Sequence, residues 1–261
     1  MKKMFPFLSL GLGISLAALF ASSPALAHEF ILKPVQAEER LLVEAQAAHV
    51  FMQSEEMEPL TDVDLFEVRL DMKKSPLSLQ EDPANHCLVA DLDASLTAPY
   101  LLLGHRKPQL WSDTTEDVQA GDRKTLEAQG FKVLGVGRYE KFAKLLMNAS
   151  SDDGQHYNKV VGDPLEIVLL SNPADVHPGG EIECKILWQG EPVWTEVKAS
   201  YDSFSEAEDT YAVNIESDFD GIARFKVDKP GIWFIRVGRD AEGDGTVDKW
   251  LVRATYTFEI K

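Results

Sequence analysis

The sequence lacks most of the residue patterns that mark an enzyme or a dedicated metal-binding module. Only two of its 261 residues are cysteines, Cys87 and Cys184, and no Cys-x-x-Cys, His-x-His or His-Glu-x-x-His spacing occurs. These absences exclude the standard structural and catalytic zinc signatures. A Gly-x-Ser-x-Gly nucleophile elbow and a phosphate-binding glycine loop are also missing. The sequence therefore predicts a protein that is not an enzyme.

Positive charge and long apolar runs are also scarce. The chain has 26 lysines and arginines against 43 acidic residues, which gives a net charge of −17. Such acidity repels nucleic acid and anionic lipid and attracts cations, although solubility alone would also explain it. Beyond the N-terminal segment no apolar run approaches the length that a bilayer requires. We expect no nucleic-acid partner and no membrane-spanning segment.

The N-terminal segment has the three parts of a secretory signal peptide. Lys2 and Lys3 form a basic start, residues 5–20 carry no charge, and residues 24–27 end in a small-x-small cleavage site. Cleavage would remove residues 1–27 and release a mature chain into the periplasm; a retained N-terminal anchor is the alternative. The periplasm permits disulfides. However, the apolar surroundings of Cys184 favour two separate buried thiols, with a Cys87–Cys184 disulfide as the alternative.

The second half of the chain alternates short apolar stretches with turn residues. Residues 165–170 form an apolar stretch before the Ser-Asn-Pro at 171–173, and Pro230-Gly231 precedes alternating Trp233, Ile235 and Val237. About seven short strands separated by turn signals are typical of an immunoglobulin-like β-sandwich. We assign residues 161–261 to such a domain.

The first half, residues 28–160, is less regular and is predicted to be a β-rich domain with a small helical insertion. One predicted helix spans 124–129, and another spans 139–147 because good helix formers there carry an apolar stripe. The predicted strands span residues 30–35, 41–50, 63–70, 87–92 and 100–103. The overall prediction is an all-β protein with two β-sandwich-like domains, joined by a linker at 148–163.

The most suggestive residue for chemistry is His28, the first residue after the cleavage site. Its free α-amino group and its imidazole would together chelate a divalent metal, and copper and nickel favour nitrogen ligands. His49, at the end of a predicted strand, is the best candidate for a third nitrogen, and Met52 would add a thioether. An incidental histidine left by the signal peptidase is the alternative. Four nearby carboxylates are further candidates: Glu29, Glu55, Glu56 and Glu58.

Two other features are weaker candidates for metal binding. His105 follows an apolar stretch and is a further possible ligand, although a surface histidine is the simpler interpretation. Residues 240–248 carry acidic residues at the spacing of an EF-hand calcium loop. However, Leu251 stands where such a loop needs its final glutamate, so an acidic hairpin loop is favoured. The remaining histidines are expected to be solvated: His86, His156 and His177.

Several segments together resemble one family. They include His-Glu-Phe at 28–30, the stretch around His49 and Trp-Ser-Asp-Thr at 111–114. The other matching segments are residues 140–144, 165–168, 171–173, 190–192, 220–221, 229–233 and 255–258. Over nearly all of the mature chain, this resembles a secreted domain-of-unknown-function family described as the periplasmic component of nickel or cobalt uptake systems. The resemblance implies that His28 and His49 are metal ligands, although Ala48 stands where a glycine is expected.

By this resemblance the protein would bind Ni²⁺ or Co²⁺ in the periplasm and hand it to the subunits of an inner-membrane importer. Copper is also possible because it binds most tightly to nearly any nitrogen site. One alternative is a non-catalytic β-sandwich module that binds a protein or a glycan. Another is a copper-dependent polysaccharide oxidase, since those enzymes also begin with histidine.

Overall fold

A computed structural model of the protein describes residues 28–49, 52–69, 71–151 and 155–261. The predicted signal peptide lies outside the described residues. The first half contains β1 Glu29–Ala37, β2 Arg40–Ala48, β3 Val63–Val68, β4 Lys74–Pro76, β5 Gln80–Asp82, β6 Cys87–Leu92, β7 Tyr100–Thr114, β8 Val118–Ala120, α1 Arg123–Ala128 and β9 Val133–Met147. The second contains β10 Leu165–Leu169, β11 Glu181–Trp188, β12 Glu191–Pro192, β13 Glu196–Tyr201, β14 Val213–Glu216, β15 Ile222–Lys226, β16 Gly231–Glu242 and β17 Lys249–Ile260. Short 3₁₀ turns span Leu60–Asp62 and Pro173–Asp175.

These strands form three sheets. The largest has nine strands in the order β14-β13-β16-β17-β9-β7-β3-β4, with β8 added beside β7. A second sheet has the order β1-β2-β6-β5, and a third has the order β10-β11-β12 with β15 paired to β11. The all-β, sandwich-like class predicted from the sequence is confirmed.

The nine-stranded sheet is the middle layer because side chains along β7 alternate between two cores. Leu102 packs with Phe30 and Val43 of the second sheet. Leu101 and Leu103 join the larger core formed with the third sheet. Since successive residues of a strand point to opposite faces, the two outer sheets lie on opposite sides of β7.

The prediction of a helix over 139–147 is wrong, because this segment is the second half of β9. Residues 141–147 are all buried, as expected for a strand that is covered on both faces. Such a strand shows a continuous apolar run rather than alternation, and this run resembles the core face of a helix. Two lysines in the segment, Lys141 and Lys144, are also buried. Tertiary packing here outweighs local helix propensity.

The other predicted helix is confirmed as α1. Asp122 caps it, since its carboxylate accepts a hydrogen bond from the backbone N–H of Thr125 at 2.7 Å. Leu126 anchors α1 in a small apolar cluster with Val133 and Val136 of β9. No helix in the described ranges is both long enough and apolar enough to cross a bilayer.

The middle sheet runs through both halves of the sequence. Strand β9 pairs in parallel with β17, from Gly137 opposite Lys249 to Leu145 opposite Thr257. The domain boundary at residue 160 stays a prediction, but the backbone hydrogen bonds of this sheet cross it.

The two cysteines are separate buried thiols, as expected. Cys87 lies in β6 and Cys184 in β11, and both are free. Burial raises the pKa of each thiol to about 12. Thiols of this kind are inert structural residues rather than metal ligands.

Candidate metal centre

The register of the first hairpin brings the two predicted histidine ligands together. Strands β1 and β2 are antiparallel, and Glu29 lies opposite Ala48. His28 directly precedes Glu29 and His49 directly follows Ala48, so the two histidines face each other across the open end of the hairpin. Their ring centroids are 4.1 Å apart. The sequence predicted this pair, and the hairpin explains its proximity.

A tight return loop then places a carboxylate beside both rings. Met52 has a positive φ of 62°, a left-handed conformation that helps to reverse the chain. Beyond this turn, the backbone N–H of Glu55 donates to the carbonyl oxygen of Ala47 at 2.9 Å. The Ser54 hydroxyl donates to the carbonyl oxygen of His86 at 2.7 Å and holds the loop against its neighbour. Glu55 is thereby brought back to the end of β2.

His28, His49 and Glu55 form one compact group. Glu55 Oε2 lies 2.9 Å from His49 Nδ1 and 3.4 Å from His28 Nε2. Glu55 Oε1 accepts the backbone N–H of His49 at 2.8 Å. One ligand atom from each of the three side chains lies within 4.8 Å of the others. From the sequence, Glu55 was one of four equivalent candidate carboxylates. The conformation of the return loop decides which of them reaches the histidines.

The surroundings of His28 favour its neutral form. The residue is only 7 % exposed. Burial lowers the pKa of the imidazole, and the nearby His49 and Lys141 lower it further, against the opposing effect of Glu55 and Glu56. Neutral imidazole is the form that binds a metal ion. The surroundings of His28 therefore favour the protonation state that a metal ligand requires.

Two of the other candidate carboxylates are committed to arginines. Arg236 Nε donates to Glu29 Oε1 at 2.5 Å, and Arg106 Nε donates to Glu58 Oε2 at 3.2 Å. Lys141 is buried beside these pairs, and its Nζ has no hydrogen-bond partner among the described residues. Burial lowers the pKa of Lys141 to about 8. Glu29 and Glu58 thus belong to a buried charge network behind the histidine pair.

The structure does not bring His105 to this group. His105 lies in β7 and stacks on Phe142 with the ring centroids 4.8 Å apart, on the face that packs against the third sheet. Its Nε2 is 2.8 Å from Glu140 Oε1, and Trp250 Nε1 donates to the other oxygen of Glu140 at 3.1 Å. His28 belongs to the hairpin on the opposite side of the middle sheet.

The methionine predicted as a ligand lies in apolar packing. Met52 is 3 % exposed and forms a small cluster with Ile31 and Phe234. Met57 packs against the core of the second sheet. The environment of both thioethers is that of ordinary core residues.

The remaining candidates also have structural surroundings. His86 and His177 are exposed, as expected, whereas His156 is buried, contrary to the expectation that it is solvated. The acidic hairpin at 240–248 forms ion pairs with arginines. Its pairs are Asp240 with Arg253 at 3.0 Å, Asp244 with Arg138 at 2.9 Å, and Asp248 with Arg123 at 3.1 Å.

Comparison with known proteins defines the family of this chain but not its activity. No curated protein matches the sequence at a significant level. The profile of a family described as "Domain of unknown function (DUF4198)" matches residues 25–240, which include the histidine pair, Glu55 and most of all three sheets. The chain therefore belongs to the DUF4198 family of domains of unknown function.

Proposed function

We propose that this protein binds a divalent transition-metal ion, nickel or cobalt, in the periplasm and delivers it to an inner-membrane importer. The observation that carries the proposal is the group formed by His28, His49 and Glu55, whose ligand atoms lie within 4.8 Å of one another. A metal ion would lie among these atoms and replace the hydrogen bond that joins His49 Nδ1 and Glu55 Oε2 at 2.9 Å.

The donor set suits this class of ion. Two imidazoles and a carboxylate are borderline and hard donors, which bind Ni²⁺, Co²⁺, Zn²⁺ and Cu²⁺. Affinity alone would favour copper, so selection of nickel or cobalt depends on geometry and on which metal is available. The net charge of −17 supports the role, because an acidic surface raises the local concentration of cations.

Delivery requires that the ion can leave again. Three side-chain ligands leave coordination positions open, and a ligand from a receiving protein would occupy one of them during transfer. The side chains of Glu55 and Glu56 are 33 % and 51 % exposed, so this edge of the group faces solvent. The buried His28 holds the ion from the other side.

Metal titration of the mature chain tests binding. Calorimetry with nickel, cobalt, zinc and copper would be run on the protein that begins at His28 and on the variants His49→Ala and Glu55→Ala. Each variant removes a ligand, so each should weaken binding by more than the roughly 10–100-fold loss typical of an outer-shell partner. His105→Ala is the matched control, because that histidine also pairs with a glutamate but lies across the sheet.

Either of two results would overturn metal binding. One is the absence of binding to all four metals, and the other is an affinity of His49→Ala equal to that of the His105→Ala control. Delivery is tested separately by nickel and cobalt uptake in cells that lack the protein. Wild type and His105→Ala should restore uptake, whereas His49→Ala should not.

A further inference from the structure

We infer that Glu56 positions the His28 ring so that Nε2, not Nδ1, is the metal donor, and that the site is formed by side chains without the α-amino group. This inference rests on the proposed function and specifies the donor atoms of the same site.

The two nitrogens of the His28 ring face different carboxylates. Nε2 lies 3.4 Å from Glu55 Oε2, and that oxygen is also 2.9 Å from His49 Nδ1. Nδ1 lies 3.3 Å from Glu56 Oε2. Only Nε2 thus shares an oxygen neighbour with His49, so the ion that joins His28, His49 and Glu55 binds His28 through Nε2.

Glu56 is positioned to orient the His28 ring through a hydrogen bond to Nδ1. A neutral imidazole carries hydrogen on one nitrogen and a lone pair on the other. When Nε2 binds the metal, Nδ1 carries the hydrogen, and histidine ligands nearly always donate it to a carboxylate, a carbonyl or water. Nδ1 of His28 is buried and forms no hydrogen bond among the described residues. The Glu56 carboxylate lies close to Nδ1 but is not oriented to accept a hydrogen bond from it. Because this carboxylate is half exposed, it can rotate into an orientation that does.

Backbone contacts with the end of β2 hold Glu56 in a defined position beside the His28 ring. Glu56 forms an isolated antiparallel bridge with Ala47 at the end of β2, and the N–H of Glu56 lies 3.4 Å from the carbonyl oxygen of Ala47. The residue is therefore tied to the same hairpin end as His49. Glu55 and Glu56 approach the His28 ring at its two nitrogens.

The choice of nitrogen decides whether the N-terminal amine takes part. A chelate between the α-amino group and the ring of the same histidine requires Nδ1, because Nε2 lies on the far side of the ring. If Nδ1 carries hydrogen for Glu56, that chelate does not form. This inference replaces the sequence-based expectation that His28 supplies two nitrogens.

Nickel titration of two further sets of proteins tests the inference. In the first, an alanine is added ahead of His28, which converts the amine at that residue to an amide. We expect the extended chain to bind nickel as tightly as the mature chain. If it loses binding while the mature chain retains it, the α-amino group is a ligand and the inference is overturned, although metal binding stands.

The second set separates positioning from charge. Glu56→Ala should weaken nickel binding about 10–100-fold, whereas Glu56→Gln should recover most of it because an amide oxygen also accepts the Nδ1 hydrogen. Glu39→Ala, at the turn end of the same hairpin, controls for the loss of one negative charge. Equal weakening in Glu56→Gln and Glu56→Ala would overturn the positioning role. Absence of nickel binding in the mature chain itself would overturn the proposed function together with this inference.

Discussion

At the residue scale, Lys141 is the side chain whose burial has the clearest energetic consequence. It is 2 % exposed, and its Nζ has no hydrogen-bond partner among the described residues. Burial lowers the pKa of Lys141 to about 8, and the neighbouring Arg106 and Arg253 act in the same direction against Glu58 and Glu29. The folded protein therefore holds this proton less tightly than the unfolded chain does.

The substitution Lys141→Met should make the pH dependence of stability visible. Lys141 should make a contribution to wild-type stability that rises between about pH 8 and pH 10.5, where this side chain keeps its proton in the unfolded chain and releases it in the folded chain. The variant lacks this group, so its stability relative to wild type should fall by roughly 3 kcal/mol over that range. Urea unfolding at pH 7 and pH 10 measures the difference. A stability difference between wild type and Lys141→Met that does not change with pH would contradict the prediction. The variant Lys124→Met, at an exposed lysine, controls for the loss of one charge.

At the scale of elements, Gly104 lets the hairpin of β1 and β2 approach the middle sheet closely. A Cβ atom at this position of β7 would lie 2.8 Å from Cε1 of Phe30 and 3.3 Å from Cδ2 of Leu32. Both are buried side chains of β1. A larger residue at Gly104 would therefore push on the strand that begins beside His28.

We expect Gly104→Ala to destabilise the protein by about 1–3 kcal/mol, the usual result of overpacking a filled core. The same displacement of β1 should also weaken the metal binding that we propose, because His28 directly precedes that strand. Gly135→Ala in β9 is the matched control, since its nearest neighbour would be 3.8 Å away. Thermal unfolding of the two variants gives the comparison, and equal losses of stability in both would argue against a tight contact at Gly104.

At the scale of the whole molecule, the two halves of the chain share their interior. Strands β9 and β17 pair directly, and one large core draws residues from both halves. Lys144 of β9 donates to Glu166 of β10 at 2.5 Å, and Glu166 also accepts the backbone N–H groups of Val161 and Gly162. The segment that joins the halves is thereby tied to both.

We therefore expect residues 28–261 to unfold in a single transition. Separate fragments covering 28–160 and 161–261 should not fold alone, because each would expose an apolar sheet face and an unpaired strand. Differential scanning calorimetry of the chain and circular dichroism of the fragments provide the test. Two separate transitions, or native-like spectra from either fragment, would show instead that the halves are independent.

Local patterns in the sequence were sufficient to predict the class of fold and part of the candidate site. Alternating apolar residues and turn residues predicted the strands of the second half, because side-chain period and turn chemistry act over a few residues. The apolar setting of Cys184 predicted a buried thiol for the same reason. His28 and His49 were identified as a pair by their chemistry and by a family resemblance.

Contacts distant in sequence decided the rest. Residues 139–147 form a strand because layers on both sides bury it, and a strand buried on two faces loses the alternation by which it is recognised. The return loop selected Glu55 over Glu29 and Glu58, which instead pair with Arg236 and Arg106. Strand register placed His105 across the middle sheet from the site. Each of these outcomes depends on which elements pack together, so no local pattern could have predicted it.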